Sequence, residues 1–257
     1  MERDRIMLAE GLQTRLACRW QGAEMADLGP AKLVKVPVPN GNVLTEVQAQ
    51  PDQRRELLQL ARQYRAQVMI TPATTPRGLE RYLRWNGFSR NRSSLILGCQ
   101  RDQVRDLARP GVAVRPVTEA EIPAWHRVFT TAFSLPAGMI SSAEDSSRQA
   151  FRRMADSSRW FLGSLDGEDA GCCVLYTEGE LGLLLAVGTV PQARRRGVAA
   201  TVLSHALRTW REAGGAWLFL ETGPDNVARQ LYRKAGFRAG YRRVSMLEAR
   251  SLSGLHA

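Results

Sequence analysis

The chain has 257 residues, enough for one large domain or two modest ones, and 44% of them are hydrophobic, as in ordinary folded proteins. It has no apolar run of the roughly 18 residues that a membrane span needs, and its N-terminus is too evenly charged for a signal peptide, so we expect a cytoplasmic protein with no membrane partner. A net charge of +11 invites a nucleic-acid partner, but only three of the 36 basic residues are lysine and the arginines are scattered, which favours a solvated basic surface.

The first half of the chain predicts a short series of elements. They are strand 33–38, helix 51–64 and a strand–turn–helix unit over 65–88 that ends at Gly87. The polar stretch 101–111 then runs into Pro110 and Gly111, which marks a boundary. We therefore predict a first domain over 1–108 and a second over 109–257.

The second half predicts a longer series of alternating strands and helices. Thr118 and Glu121 have the spacing of a capping box. The predicted elements are strand 111–118, helices 119–133 and 143–156, a strand pair joined around Gly167, strand 181–190, helix 198–213, strand 216–222, helix 225–235 and strand 239–248. This order predicts an α/β (mixed α+β) fold with a partly parallel sheet. The lack of a GxGxxG sequence argues against a doubly wound Rossmann fold.

The two halves repeat one pattern. Aligning Gly87-Phe88 with Gly236-Phe237 sets an offset of 149 residues. The same offset places helix 51–64 on helix 200–213 and strand 33–38 on strand 182–187. Agreement of several elements in one register predicts two related halves, the first of them truncated.

The four cysteines predict neither a metal site nor a redox pair. None has a CxxC spacing or a partnered histidine, and Cys172 and Cys173 are neighbours that point to opposite faces of a strand. We expect four reduced, mostly buried thiols and no bound metal.

A turn rich in arginine precedes the helix that starts at residue 198. Arg194, Arg195 and Arg196 lead into Gly197, which lets the backbone approach a ligand closely, and Ala199 keeps the first helical turn uncrowded. The free N–H groups and partial positive charge of a helix N-terminus favour a phosphate or pyrophosphate. The alternative is a solvated run of charge.

Two motifs resemble those of the GNAT N-acetyltransferase superfamily. Arg194, Gly197 and Ala199 fill the fixed places of its acyl-CoA loop, Q/R-x-x-G-x-G/A. The run from Asp225 to Phe237 is similar to its second signature, N-x-x-A-x-x-L-Y-x-x-x-G-F. The resemblance covers 111–248 in full and 31–97 as a degenerate echo. It implies a GNAT-like fold, a twisted mixed sheet with helices on both faces.

The resemblance also implies a binding site for acetyl-CoA, the acyl donor. Strands 181–190 and 216–222 would part, and the pantetheine arm would lie between them. The cofactor-binding residues implied are Val187, Gly188 and Thr189 on the first strand, Arg194, Arg195, Arg196, Gly197, Val198, Ala199 and Ala200 at the turn and helix start, and Asp225 and Asn226 before the last helix. The N–H groups of residues 195–200 would hold the pyrophosphate, with Arg196 as the side-chain partner.

The catalytic residues implied are Tyr232 and Glu221. Tyr232 stands where the family places the hydroxyl that protonates the departing thiolate. Many members carry a glutamate base where this chain has Leu220, and Glu221 is one place further on, on the opposite face of a regular strand. Glu178 or Glu180, a water-mediated base, or an amine that arrives neutral remain open.

The chain departs from the family at two further places. Asp225 occupies the first place of the second signature and Asn226 comes one place late. In the first half, Thr45, Gln48 and Gln50 stand where Arg194, Gly197 and Ala199 stand in the second. This half is therefore expected to bind no cofactor.

The function implied is an acyl-CoA-dependent N-acetyltransferase acting on a primary amine. The alternative is a catalytically idle acyl-CoA-binding sensor or scaffold module, because the usual glutamate is missing. A nucleic-acid partner is disfavoured, since aromatic and basic residues do not interleave as in RNA-binding sheets. The sequence identifies neither the amine acceptor nor the oligomeric state.

Overall fold

A computed structural model of the protein describes residues 1–38 and 41–249, with the backbone alone for residues 137–143. The chain forms two compact units. Of the described residues, unit 1 contains 1–38, 41–96, 222–225 and 239–249, and unit 2 contains 97–221 and 226–238.

The helices and strands follow one another in a mixed α/β order. Up to residue 100 they are α1 (Arg3–Gln21), β1 (Glu24–Asp27), β2 (Lys32–Lys35), β3 (Val43–Thr45), α2 (Arg54–Gln63), β4 (Gln67–Ile70), α3 (Leu79–Trp85) and β5 (Phe88–Gln100). The rest are β6 (Val112–Pro116), α4 (Ile122–Phe133), α5 (Ala137–Arg153), β7 (Ser158–Leu165), β8 (Glu168–Glu178), β9 (Leu181–Thr189), α6 (Val198–Glu212), β10 (Trp217–Thr222), α7 (Arg229–Lys234) and β11 (Arg238–Glu248).

Unit 1 is built on a mixed sheet with the strand order β1-β2-β3-β4-β11-β5. The short strand β3 lies between β2 and β4, antiparallel to the first and parallel to the second. Leu57 of α2 and Leu83 of α3 are fully buried in the same apolar cluster as Leu33, Leu44 and Val68 of these three strands. Burial of this cluster holds the helices against the sheet.

Unit 2 carries the strands β10-β9-β8-β7-β6 in that order, with β10 parallel to β9 and the remaining pairs antiparallel. Helices α6 and α4 lie on opposite faces of it. A Cβ atom on Gly171 would meet Val198 of α6, whereas a Cβ atom on Gly188 would meet Ala132 and Phe133 of α4. Because Gly171 and Gly188 belong to successive cross-strand pairs, their side-chain positions face opposite ways.

The structure confirms the predicted α/β class and the alternating order of the second half. The capping box is present, since the Glu121 carboxylate accepts hydrogen bonds from the N–H and the hydroxyl of Thr118, each at 2.9 Å. The last helix is shorter than the predicted 225–235. The Asn226 amide oxygen accepts the N–H of Ala228 at 2.9 Å, so this segment forms a turn before α7 begins.

The offset of 149 residues aligns elements of the two halves. Helix α2 ends at Gln63 and α6 at Glu212, and α3 ends at Trp85 and α7 at Lys234, so both pairs end at equivalent positions. The compact units nevertheless do not divide the chain at residue 108, because most of β11 counts with unit 1. The boundary between family domains at 108/109 stays a prediction.

Candidate functional site

Strands β9 and β10 of unit 2 pair over only part of their lengths. The parallel pairing runs from Leu181 opposite Trp217 to Leu184 opposite Leu220 and stops there. Strand β9 continues to Thr189 without β10 as its partner. One edge of β9 is thus open beyond Leu184, and its backbone can pair with an extended ligand as with another strand.

A bulge lies in β9 just beyond this point. Cys172 of β8 pairs with Gly188, but Val174, two residues on, pairs with Leu185, so β9 has one extra residue here. Ala186 has a positive φ of 50°. Bulges of this kind re-aim the strand and are common beside active sites. The bulge contains Val187, which was predicted to bind the donor, and it is followed directly by Gly188.

Thr189 brings a polar side chain to the end of the open edge. Its hydroxyl oxygen is buried and has no hydrogen-bond partner in the described part of the chain. Its carbonyl oxygen accepts a bond of 3.3 Å from Nε of Arg194. The resemblance placed Thr189 among the donor-binding residues, but spacing cannot reveal a buried hydroxyl without a partner. Such a group favours a bound hydrogen-bonding ligand.

The turn after β9 presents a row of free donors. Arg195 and Gly197 have positive φ values of 66° and 89°. Gly197 is the N-cap of α6, and the helix begins at Val198, as predicted. Among the described residues, the N–H groups of 195–200 find no acceptor, and the first bond of the helix joins the Thr201 N–H to the Gly197 oxygen at 3.0 Å. These N–H groups and the helix dipole favour a phosphate or pyrophosphate.

The three consecutive arginines differ in what their side chains do. Arg194 donates to the carbonyl oxygens of Thr189 and Ala132, at 3.3 and 3.0 Å. Arg196 forms an exposed ion pair of 2.7 Å with Asp166, so its predicted contact with phosphate would need this pair to open. Exposed pairs contribute only about 0–1 kcal/mol, and an anionic ligand can exchange with this carboxylate. The Arg195 guanidinium bonds no described residue.

Val198, Ala199 and Ala200 form the first turn of α6. Val198 is buried and lies 2.5 Å from the position of a Cβ atom on Gly171, so its side chain fixes the helix on the sheet. Ala199 and Ala200 are half-buried. Their short side chains leave the N–H groups of this turn accessible, and their contribution to binding is expected to come through the backbone.

Tyr232 lies on α7 and is 6% exposed, with its ring edge-on to Phe237 at 6.1 Å. Its hydroxyl makes no hydrogen bond with the described residues. Burial, and to a smaller degree the neighbouring Cys173 thiol, raise the pKa of Tyr232 well above its usual range. The phenol therefore keeps its proton at neutral pH, as any tyrosine does, and burial makes it a weaker acid than a free tyrosine.

The candidates for the base have different surroundings. Leu220, at the family's usual glutamate position, is 2% exposed, and Glu221 beside it is half-buried. The Glu178 carboxylate accepts a hydrogen bond from the Tyr176 hydroxyl. Asp225 and Asn226, the two implied cofactor-binding residues ahead of α7, are both exposed, and Asn226 caps the turn through its amide oxygen. Glu180 is exposed, and these observations assign the base to none of the candidates Glu221, Glu178 and Glu180.

The four cysteines were expected to be reduced and mostly buried. All four cysteines are free, and burial raises the pKa of Cys99 and Cys172 to about 12. The described residues contain no cluster of three or more potential metal ligands. No helix in the described ranges is long and apolar enough to cross a membrane.

Comparisons with known proteins agree with this geometry. The sequence model of the acetyltransferase (GNAT) family matches residues 122–237. Among solved structures, the chain resembles a GCN5-related N-acetyltransferase from Kribbella flavida, with a TM-score of 0.71 and 16% identity over 94% of this chain and 95% of that one. A GCN5-related N-acetyltransferase from Sphaerobacter thermophilus gives 0.63 and 20% over 90% and 84%. No curated protein matches the chain in sequence.

A further solved structure belongs to a protein with two GNAT copies in tandem. It is a tandem GNAT protein from the clavulanic acid biosynthesis pathway, with a TM-score of 0.62 and 14% identity over 84% of this chain and 77% of that one. At these identities the neighbours show the fold and nothing finer.

Parted parallel strands that lead into a helix N-terminus with free donors are the arrangement that the resemblance to the GNAT superfamily implies for an acyl-CoA site. The sequence model of the acetyltransferase (GNAT) family thus matches the second half of the chain, over somewhat less than half of its length. The donor site described above lies inside the matched range, from β9 to the start of α6.

Proposed function

We propose that the second half of the chain transfers an acetyl group from acetyl-CoA to a primary amine. The observation that carries this proposal is the row of N–H groups over 195–200, which find no acceptor in the described part of the chain and lie at the N-terminus of a 15-residue helix. They have the chemistry to bind the pyrophosphate of CoA. The edge of β9 beyond Leu184, which β10 leaves unpaired, would then bind the pantetheine arm as it would bind another strand.

The reaction forms one bond and breaks one. The neutral amine nitrogen attacks the thioester carbonyl carbon, a C–N bond forms, and the C–S bond breaks as the tetrahedral intermediate collapses. Tyr232 donates its proton to the departing sulfur, and the amine proton leaves to a base. The place of Tyr232 in the second signature supports this role, whereas burial, which raises its pKa, makes the phenol a weaker acid than a free tyrosine.

The base is the open part of the mechanism. Leu220 supplies no proton acceptor, so the amine proton goes to Glu221, to a carboxylate of the β8–β9 hairpin, or to water. It leaves before the attack or, for an amine that arrives neutral, after it. The buried Leu220 also favours the second candidate function, a module that binds acyl-CoA without turning it over.

A titration and an assay together test these two functions. Purified protein is titrated with CoA by calorimetry and then incubated with acetyl-CoA and a panel of amines while free thiol is measured. CoA binding with release of thiol on at least one amine is the expected result. Tight binding without turnover on any amine would favour the idle module, and failure to bind CoA would contradict both.

A further inference from the structure

The segment before β6 is fastened to the start of α6. The N–H of Arg109 donates to the Thr201 hydroxyl at 2.9 Å, and the N–H of Leu107 donates to the Ser204 hydroxyl at 2.7 Å. Thr201 in turn donates to the Gly197 carbonyl oxygen at 3.1 Å. These bonds place the backbone of Arg109 beside the cap of the helix.

The side chain of Arg109 runs over Gly197. A Cβ atom built on Gly197 would lie 2.6 Å from Cγ, 2.9 Å from Cβ and 3.9 Å from Cδ of Arg109. Gly197 is thus required by its positive φ and also by the close approach of this aliphatic stem. Arg109 is exposed, and the guanidinium follows Cδ along the side chain, so it can reach the N–H groups at the start of α6.

The positive charge of Arg109 has no acidic partner among the described residues. The Arg109 guanidinium forms neither an ion pair nor a hydrogen bond with a described residue, and the same holds for Arg195. Asp166 already binds Arg196, and the Asp106 carboxylate accepts the N–H of Ala108 at 2.8 Å. Two guanidinium groups at the positive end of a helix repel one another and the dipole, and an anion would relieve this repulsion.

We propose that Arg109 binds a phosphate group of the acyl donor, so that the segment between the two halves of the chain completes the phosphate site of the second half. The assignment rests on the proposed function, because it takes the ligand of 195–200 to be CoA. Arg109 acts on donor binding and takes no part in the chemistry.

Affinity measurements with and without phosphates on the ligand test the assignment. We expect Arg109→Ala to weaken CoA binding about tenfold or more, the usual effect of losing a charge-assisted hydrogen bond, and Arg109→Lys to recover part of it. Competition by pantetheine, which has no phosphate, should give the same affinity for the wild type and Arg109→Ala. Arg211→Ala is the control, since it removes an equal charge at the other end of α6, about 20 Å away.

Dephospho-CoA distinguishes the diphosphate from the 3′-phosphate as the partner of Arg109. If the loss is equal for CoA and dephospho-CoA, the contact is to the diphosphate, and if it occurs with CoA alone, the contact is to the 3′-phosphate. Equal CoA affinity of the wild type and Arg109→Ala, with matching melting temperatures, would overturn the assignment and leave the proposed function intact. A wild type that does not bind CoA would overturn both.

Discussion

The two halves of this chain differ in what lies between two equivalent strands. By the offset of 149 residues, β2 and β4 of unit 1 correspond to the paired parts of β9 and β10 in unit 2. In unit 1, β3 lies between β2 and β4 and hydrogen-bonds to both. In unit 2, β10 pairs directly with β9 and leaves it after Leu184, so the edge beyond is open.

The two halves also differ in the backbone hydrogen bonds of the residues that follow these strands. Gln48 occupies the place of Gly197, but its N–H donates to the Pro30 oxygen at 2.9 Å, and its side-chain amide donates to the oxygens of Val47 and Ala73. The equivalent N–H groups in unit 2 have no acceptor among the described residues. The backbone N–H of this segment is thus hydrogen-bonded within the protein in the first copy, whereas the equivalent N–H groups in the second copy are available to a ligand.

The largest effect is expected from Gly197→Glu. A carboxylate among the free N–H groups would repel the diphosphate, and a like-charge contact of this kind costs several kcal/mol, so CoA affinity should fall about a hundredfold or more. Gly78→Glu is the matched control, since Gly78 caps α3 with a positive φ of 79° and has open space around it. Unchanged CoA affinity in a folded Gly197→Glu variant, measured by calorimetry, would refute the donor site.

Tyr232→Phe is expected to slow the chemical step about a hundredfold, the usual contribution of a positioned acid. The ring and its contact with Phe237 remain, so the melting temperature and CoA affinity should change little. Tyr82→Phe makes the equivalent change next to Leu83, the unit 1 counterpart of Tyr232, and should leave the rate unchanged. Single-turnover measurements decide the point, and a full rate in Tyr232→Phe would exclude this hydroxyl as the acid.

A smaller effect is expected from Thr189→Val. The change removes a buried hydroxyl without a partner, so the ligand-free protein should become no less stable, whereas CoA affinity should fall roughly fivefold if the hydroxyl bonds the donor. Thr45→Val removes a buried hydroxyl of the same kind from unit 1 and should affect stability alone. Thermal melts and titrations of both variants separate the two effects. Equal CoA affinity for Thr189→Val and the wild type would show that the donor does not use this group.

The sequence predicted most elements of the second half and the turn at 194–197, because helical periodicity and the glycine pattern are local signals. It did not predict β3, whose three residues are too few for a period to be detected, nor did it predict α1, β1 or the 13-residue strand β5. The bulge at Ala186 has a positive φ without glycine, so composition gave no sign of it. The placing of Arg109 over Gly197 joins residues 88 positions apart, which no spacing can show.

The stoichiometry of CoA binding tests most directly the claim that one copy is open and the other filled. Calorimetric titration of the full chain, repeated on Gly197→Glu, measures it. The account predicts one CoA per chain in the wild type and loss of that site in the variant. Two equivalent sites in the wild type, or one site that survives in Gly197→Glu, would contradict it.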